Sequence, residues 1–423
     1  MLSYLDSSLR SKWREVEAWF SYRLLKGDSG SPLKVPIYCS VDLRNAGYKL
    51  ATVDTNLYPA GFNNLCAIYN EECVISFNNY IEQNYRGVKK ILVIAEAHSR
   101  NKFYIENVRS IMRMLEKDGF EVRVGIIGGG LWKDFIELEG VSGGLTLYRI
   151  FREDDILRTV DFVPDLIINN NDFSEGIPEE VMDIAQPIDP SPSLGWANRR
   201  KHRHFEILKN LMEDFSHILG TDAWLLYPCT SVVMGVDFWE MAGVDRIVLA
   251  IEDLLERVRK KHREYEVKDE PFVFVKSNYG TYGLGVMTAL SGDDFLRKIK
   301  KERKKMHKGK GGIKVTEVIV QEGVPTVDSH EGCPVEPVIY LIGSAPVGGF
   351  YRVHCERTDR ENLNMPGMTF STICFHQLEN RKPAFLDLAL CSDDVMMRVW
   401  GTLGRIAALT AAYEQAGSSF EQL

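Results

Sequence analysis

The sequence predicts an α/β protein whose first half is a doubly wound parallel sheet and whose second half turns to α+β. Three observations carry this. Residues 89–127 read as strand, helix, strand, and a further apolar strand follows at 164–170. A proline-rich connector, QPIDPSPSLGW (186–196), then interrupts the alternation. Beyond about residue 223 long helices mix with short apolar runs that suit antiparallel pairing.

Taken in order, Leu9, Trp13, Val16, Phe20 and Leu24 recur at helical spacing and predict an amphipathic helix over 7–25. The stretch YCSVDLRNAGYKLATVDTNLYPAGFNNL (38–65) combines apolar runs with Asp42, Arg44, Asn45, Asp54, Asn56, Asn63 and Asn64. Asn and Asp suit turns, but an arginine can also hold a carboxylate and an aspartate an ammonium. KKILVIAEA (89–97) is a buried strand, FYIENVRSIMRMLEKDG (103–119) a helix closed by Gly119, and FEVRVGII (120–127) the next strand. Gly128, Gly129 and Gly130 follow it. A dinucleotide fingerprint would need a glycine where Lys133 stands, and a helix where 132–144 reads as loop and strand, so the glycines make a turn.

After the connector, NRRKHRHFEILKNLMEDF (198–215) is a helix with a basic first turn, which opposes the macrodipole, so Arg199, Arg200 and Lys201 either face an anion or form a solvated helix start. WLLYP (224–228), PFVFVKS (271–277), LGVMTAL (284–290), VTEVIVQEGV (315–324) and EPVIYLIG (336–343) read as strands, with helices over 246–265 and 393–416. The expected division is 1–195, 196–325 and 326–423.

With 51 Lys plus Arg against 59 Asp plus Glu, the net charge is −8, which argues against a protein that coats nucleic acid. The basic run 297–312 then reads as a solvated helix tail and a loop able to close as a lid. The eight cysteines contain no CxxC pair and no Cys/His cluster, so they read as buried thiols. No hydrophobic signal core and no run of 18 apolar residues is present, so a soluble cytoplasmic protein is expected.

The strongest local signal is FVFVKSNYGTYGLGV (272–286). A strand ends on Lys276, and a loop carrying Gly280, Tyr282, Gly283 and Gly285 follows. Glycines let backbone N–H groups approach an anion, and the lysine supplies charge for phosphates. The lysine precedes the glycines, so this is no Walker loop. Gln321, Glu322 and Val324 end an apolar strand and can face a nucleoside. Glu336, Asn362 and Asn364 supply hard oxygen for a cation, and Arg352 can stabilise charge on a transferred phosphoryl group.

At these residues the chain resembles the ATP-grasp superfamily over about 196–390. The ATP-grasp pattern of acid-x-Asn appears here as Asn362-Leu363-Asn364, with Glu361 next door as compensation. From about 37 to 376 the chain is similar to a bacterial family of glutamate–cysteine ligases. The carrying segments are VDLRNAGYKLATVDTNLYPAGFNNL, SLGWANRRKHRHF, VKSNYGTYGLGV and EPVIYLIG with GGFYRVH and NLNMPGM.

That resemblance implies an ATP-grasp fold behind an N-terminal parallel-sheet domain. It also implies an ADP-forming ligase that joins the γ-carboxyl of L-glutamate to L-cysteine through an acyl phosphate, with ATP and Mg²⁺ as cofactors. Lys276, Gly280, Tyr282, Gly283, Gly285, Gln321, Glu322 and Val324 would hold ATP, and Glu336, Asn362 and Asn364 the metal. Arg352 and Lys276 would be catalytic, and Asp42, Arg44, Asn56, Asn63, Arg199 and Lys201 would bind the amino acids. The partners expected are small molecules, with no nucleic acid or membrane, and homo-oligomerisation is left open. Two alternatives remain: another ATP-grasp ligase, glutathione synthetase-like or peptide-forming, and a non-catalytic nucleotide-binding module.

Overall fold

The computed structural model describes residues 1–26, 32–67, 70–96, 101–128, 133–279, 285–307, 314–373 and 395–417. Lys12 splits the expected opening helix into α1 (Leu2–Ser11) and α2 (Trp13–Leu25), which leaves Trp13 exposed instead of in the buried stripe. The polar segment after them is a hairpin of β1 (Tyr38–Asn45) and β2 (Leu50–Asn56). Gly47 turns it with φ +81°, a conformation open to glycine. The strand period of two explains its composition. Cys39, Val41 and Leu43 enter the core, while Ser40, Asp42 and Arg44 face a cavity.

Next come α3 (Asn70–Asn84), β3 (Lys90–Ile94), α4 (Lys102–Lys117) and β4 (Glu121–Ile126), then β5 (Phe135–Glu139) and β6 (Gly144–Arg149). The small hairpin β7 (Phe151–Glu153) and β8 (Ile156–Arg158) precedes β9 (Leu166–Asn169) and β10 (Ile188–Asp189). Their sheet runs β10-β9-β3-β4-β6-β5, parallel throughout except at the edge pair β5–β6. Ile91 to Ile94 are all buried, as strands covered on both faces require.

The connector leads into α5 (Lys201–Leu219), ended by left-handed Gly220. The expected strand WLLYP does not form. Ala223–Leu225 is a 3-10 turn capped by Asp222, and the strand β11 begins later (Thr230–Met234). A five-residue apolar run signals burial, which a core turn satisfies as well as a strand. Then follow α6 (Val244–Glu264), β12 (Val273–Ser277), β13 (Met287–Ala289), α7 (Gly292–His307) and β14 (Glu317–Glu322). They form a sheet ordered β11-β14-β12-β13, with α6 and α7 sharing its core.

The last elements are β15 (Ser329–His330), β16 (Cys333–Ile342), β17 (Ala345–Val353), β18 (Thr369–Ile373) and α8 (Val395–Gln415). Their sheet runs β18-β17-β16-β1-β2, with β15 pairing β16, so its pairing crosses the division drawn at residue 195. Helix α8 is buried from Met397 to Tyr413, packed against this sheet on one side and α1 and α5 on the other. Its charges are matched: Arg398 by Asp6, Arg405 by Glu17 and Glu414 by Arg199.

The reading of all cysteines as thiols is corrected at Cys333 and Cys355, which form a disulfide with Cα atoms 4.7 Å apart. The ladder register explains it: Val335 faces Val353, so positions two residues further out also come together. Cys39, Cys66 and Cys73 are buried thiols, Cys229 is half-buried, and Cys374 and Cys391 lie outside the described residues. No helix among the described residues is long and apolar enough to cross a membrane.

Candidate active site

A cavity of about 1050 Å³ lies where the three large sheets meet. Alternate residues of β1, β16 and β17 make its floor, with α8 on the opposite face of that sheet. Phe274 and Lys276 from β12 and Gln321 from β14 make a second wall. Glu96, just past β3, with Asn101 and Tyr104 around the start of α4, makes a third at the C-terminal edge of the parallel sheet. Such an edge is where open α/β sheets hold ligands.

Of the residues singled out in the sequence, Asp42, Arg44, Asn56, Asn63, Arg199, Lys201, Lys276, Gln321, Glu322, Val324, Glu336, Arg352, Asn362 and Asn364 all line this cavity. Gly280, Tyr282 and Gly283 lie outside the described residues. Gly285, with φ +64°, stands beside the lining residue Val286.

On the floor, Glu336 and Arg352 face each other across the β16–β17 ladder, with their side chains in direct contact. Arg352 Nη1 also donates to Asp42 Oδ2 at 2.8 Å, and Arg44 Nε donates to Glu336 Oε2 at 2.8 Å. Burial opposes ionisation of both carboxyls, but Glu336 has two guanidinium partners and Asp42 one. Glu336 is therefore held below the usual carboxylate range, whereas Asp42 is raised. Burial works against the Arg352 charge, yet Asp42 and Glu336 raise its pKa further. Arg352 Nε is a buried donor without a partner among the described residues.

Arg44 was expected to grip a substrate carboxylate. Instead its donors go to Glu336 and to the carbonyls of Val324, Asp359 and Glu361, so it fixes Glu336 and the 359–361 loop. A guanidinium so fully engaged is a support.

The basic start of α5 does face anions, but they belong to the chain. Arg199 donates to Glu414 and to the Thr55 carbonyl, Arg200 pairs with Glu317 at 3.2 Å, and Lys201 pairs with Asp54. Asn278 caps the first turn, its carbonyl accepting from Lys201 N and its Oδ1 from His202 N. Lys276 donates to the Val53 carbonyl at 3.3 Å. Loss of solvation, reinforced by Lys201, pushes its pKa down to about 8, against the pull of Asp54. Burial works against the Asp54 charge too, but Lys201 and Lys276 hold it well below the usual range.

Glu322 was expected to meet a ribose. Its carboxylate is instead bound by the buried Lys49, 2.8 Å from each oxygen, and by the Cys229 N–H. Lys49 escaped notice because a lysine in a hairpin turn ordinarily points to water. Gln321 Nε2 donates weakly to the Val53 carbonyl at 3.4 Å.

Asn362 Oδ1 accepts the Asn364 N–H at 3.0 Å, which commits that oxygen to a turn. Glu361 accepts from Thr358 and Arg357, so its carboxylate turns into its own loop and does not compensate for the missing acid. No group of three or more His, Cys, Asp or Glu able to cage a metal occurs among the described residues. Glu336, whose carboxylate already accepts from Arg44 and Arg352, and the Asn364 amide face the cavity and could hold a cation there only together with oxygens of a bound ligand.

The glutamate-cysteine ligase family GshA matches residues 6–415, nearly the whole chain. The chain belongs to this family. A crystal structure of a protein from Methylobacillus flagellatus KT, provisionally named a gamma-glutamylcysteine synthetase, is 34% identical. It covers 99% of this chain and 96% of its own, with a TM-score of 0.86. A D-alanyl-alanine synthetase A from Vibrio cholerae is 13% identical over 62% of this chain and 66% of its own, and its TM-score of 0.30 carries no argument. No curated protein matches. In this GshA chain the family's match spans every wall of the cavity, from β1 to β18.

Proposed function

We propose that this chain is an ATP-grasp ligase that joins the γ-carboxyl of L-glutamate to the amine of L-cysteine through an acyl phosphate, the first step of glutathione synthesis. The observation that carries the reading is one cavity with Lys276 on one wall and Arg352, buried between Asp42 and Glu336, on another. GshA family membership and the 34% identical neighbour support the substrates.

Lys276, with the Lys201–Asp54 pair beside it, offers positive charge to nucleotide phosphates, and Phe274 and Val324 give apolar surface for a base. Glu336 and Asn364 would hold Mg²⁺, which supplies charge neutralisation on the phosphates. A glutamate γ-carboxylate oxygen attacks the γ-phosphorus, and the bond to ADP breaks. The neutral cysteine amine then attacks the acyl carbon, phosphate leaves with its electron pair, and the amine proton passes to it or to solvent. Arg352 serves the second step, its Nε–H, without a partner among the described residues, giving a donor for the oxyanion. Asp42 and Glu336 hold its plane fixed before substrate arrives, so no reorganisation is needed at the moment of reaction.

The test is ADP release with Mg²⁺–ATP, adding L-glutamate and L-cysteine separately and together, with mass detection of the product. Release that requires both and yields γ-glutamylcysteine is expected. Release with a different acid and amine retires the substrates, and ATP binding with no release for any pair retires the catalytic reading.

A further inference from the structure

We infer that Asn362 is a hydrogen-bond donor to an anionic oxygen of the bound nucleotide's phosphates, and that it is not a ligand of the cation. The inference rests on the ligase reading above and deepens it, because the sequence pattern grouped Asn362 with Glu336 and Asn364 in one metal-binding set.

The first argument is which atom faces outward. Asn362 Oδ1 accepts the Asn364 N–H at 3.0 Å. A backbone N–H only donates, so the atom that meets it is the amide oxygen and the other is the nitrogen. Turning the amide over to offer oxygen to a cation would set its –NH₂ against that N–H, donor against donor. Mg²⁺ takes oxygen ligands, which an amide nitrogen does not supply. Asn362 Nδ2 is buried, and no acceptor meets it among the described residues. A buried donor in that state is costly, and an oxygen of a bound ligand relieves the cost.

The second argument is that the residue is held in place. The Glu361 carbonyl before it accepts from Arg44 Nη2 at 2.8 Å, and Leu363 after it is wholly buried. The same Arg44 guanidinium donates to Glu336 Oε2 at 2.8 Å and to the Val324 carbonyl at 3.4 Å. One side chain therefore ties the backbone at Asn362 both to the cavity floor and to the residues just past β14. Asn362, Asn364, Glu336 and Val324 all line the cavity.

The third argument selects the ligand. The carboxylates of this wall are engaged: Glu336 with Arg44 and Arg352, Asp42 with Arg352, and Glu361 with Arg357 and Thr358. Among the described residues, the other buried nitrogen donor of the cavity lining without an acceptor is Arg352 Nε, and Arg352 contacts Glu336. Two such donors in one network call for an acceptor that arrives with its own negative charge. A phosphate brings several oxygens. A cation at Glu336 and Asn364 neutralises some of them, and Asn362 holds another. The carboxylate of the acid substrate offers the same chemistry, and the experiment separates the two.

Asn362→Asp keeps an oxygen for the Asn364 N–H and replaces the donor with a charged acceptor. The two roles then predict opposite signs, since a cation ligand gains from a carboxylate and a donor to an anion loses. Asn362→Ser keeps a turn acceptor and adds no charge, so a loss in it cannot come from repulsion. ATP affinity is measured by calorimetry over a Mg²⁺ series, with KM for ATP and for glutamate alongside and melting curves to check the fold. At saturating Mg²⁺, Asn362→Asp should bind ATP roughly tenfold or more weakly, and Asn362→Ser should weaken it by less. The Mg²⁺ needed for half-saturation should be no lower than in the wild type, and KM for glutamate should not change. A loss confined to KM for glutamate overturns the phosphate assignment and gives the donor to the substrate carboxylate. A lower Mg²⁺ requirement in Asn362→Asp with ATP affinity retained overturns the donor, as does normal ATP affinity in Asn362→Ser. A wild type that binds ATP but releases no ADP with any acid and amine loses the ligase reading, while the same affinities still decide the role of Asn362.

Discussion

Lys49 Nζ lies 2.8 Å from both carboxylate oxygens of Glu322, and neither side chain reaches solvent. The pair ties the β1–β2 turn to the end of β14, with the Trp224 ring 4.2 Å from the ammonium. Burial lowers the Lys49 pKa, and Glu322 resists that shift. Removing one partner strands the other charge, at a cost of about 3–5 kcal/mol. Lys49→Met should lose stability of that order in urea unfolding, and adding Glu322→Leu should recover much of it. Equal losses in the single and double variants would refute the coupling.

Lys276→Ala should abolish ATP-dependent turnover while leaving the thermal transition close to wild type. The pH dependence is more diagnostic. With a pKa near 8, the ammonium is charged below that value and neutral above it. KM for ATP should therefore climb as pH rises through 8, and Lys276→Arg should carry the flat region to higher pH. The same alkaline rise in the arginine variant would rule out this group.

Arg352→Gln should lower kcat by about 10²–10³, the usual loss for one donor to a developing oxyanion, with a small change in KM for ATP. Glu336 and Asp42 would then lie close together with no cation between them, so the variant's melting should be followed in parallel. A KM effect with kcat intact would assign Arg352 to binding alone.

Glu414 reports on the frame behind the site. Burial disfavours its charge, but Arg199 and His204 hold its pKa at about 2 against the ordinary 4.5. A depressed carboxylate adds stability above its unfolded pKa and loses it as pH falls toward the folded value. The shift corresponds to about 3 kcal/mol. The stability gap between wild type and Glu414→Gln should be full at neutral pH and shrink between about 4.5 and 2. A gap that ignores pH would mean packing, not charge, matters at this position.

The site was legible in the sequence because its chemistry is written in residue type. Lysine at a strand end, Glu336, Arg352 and the two asparagines keep their order, and all meet at one cavity. What each carboxylate or cation touches was not legible, since partners such as Lys49 for Glu322 or Glu361's own loop lie at unpredictable separations. The β1–β2 hairpin could have been found. Cys39, Val41 and Leu43 alternate with Ser40, Asp42 and Arg44, but charged residues at every second position read as turn because their face lines a polar cavity. The helix α8 was legible from the one apolar face that Val395, Val399, Leu403, Ile406 and Leu409 make, whereas its burial on all sides was not read.

The pairing of β1 with β16 has a consequence for biosynthesis. Asp42 leaves the ribosome about 300 residues before Glu336 and Arg352. At common translation rates the nascent chain carries the open edge of β1 for roughly 15–60 s. An unpaired strand edge invites association with other chains, so the half-made protein needs shielding that the finished one does not. Slowed translation in that interval should increase aggregation of the chain.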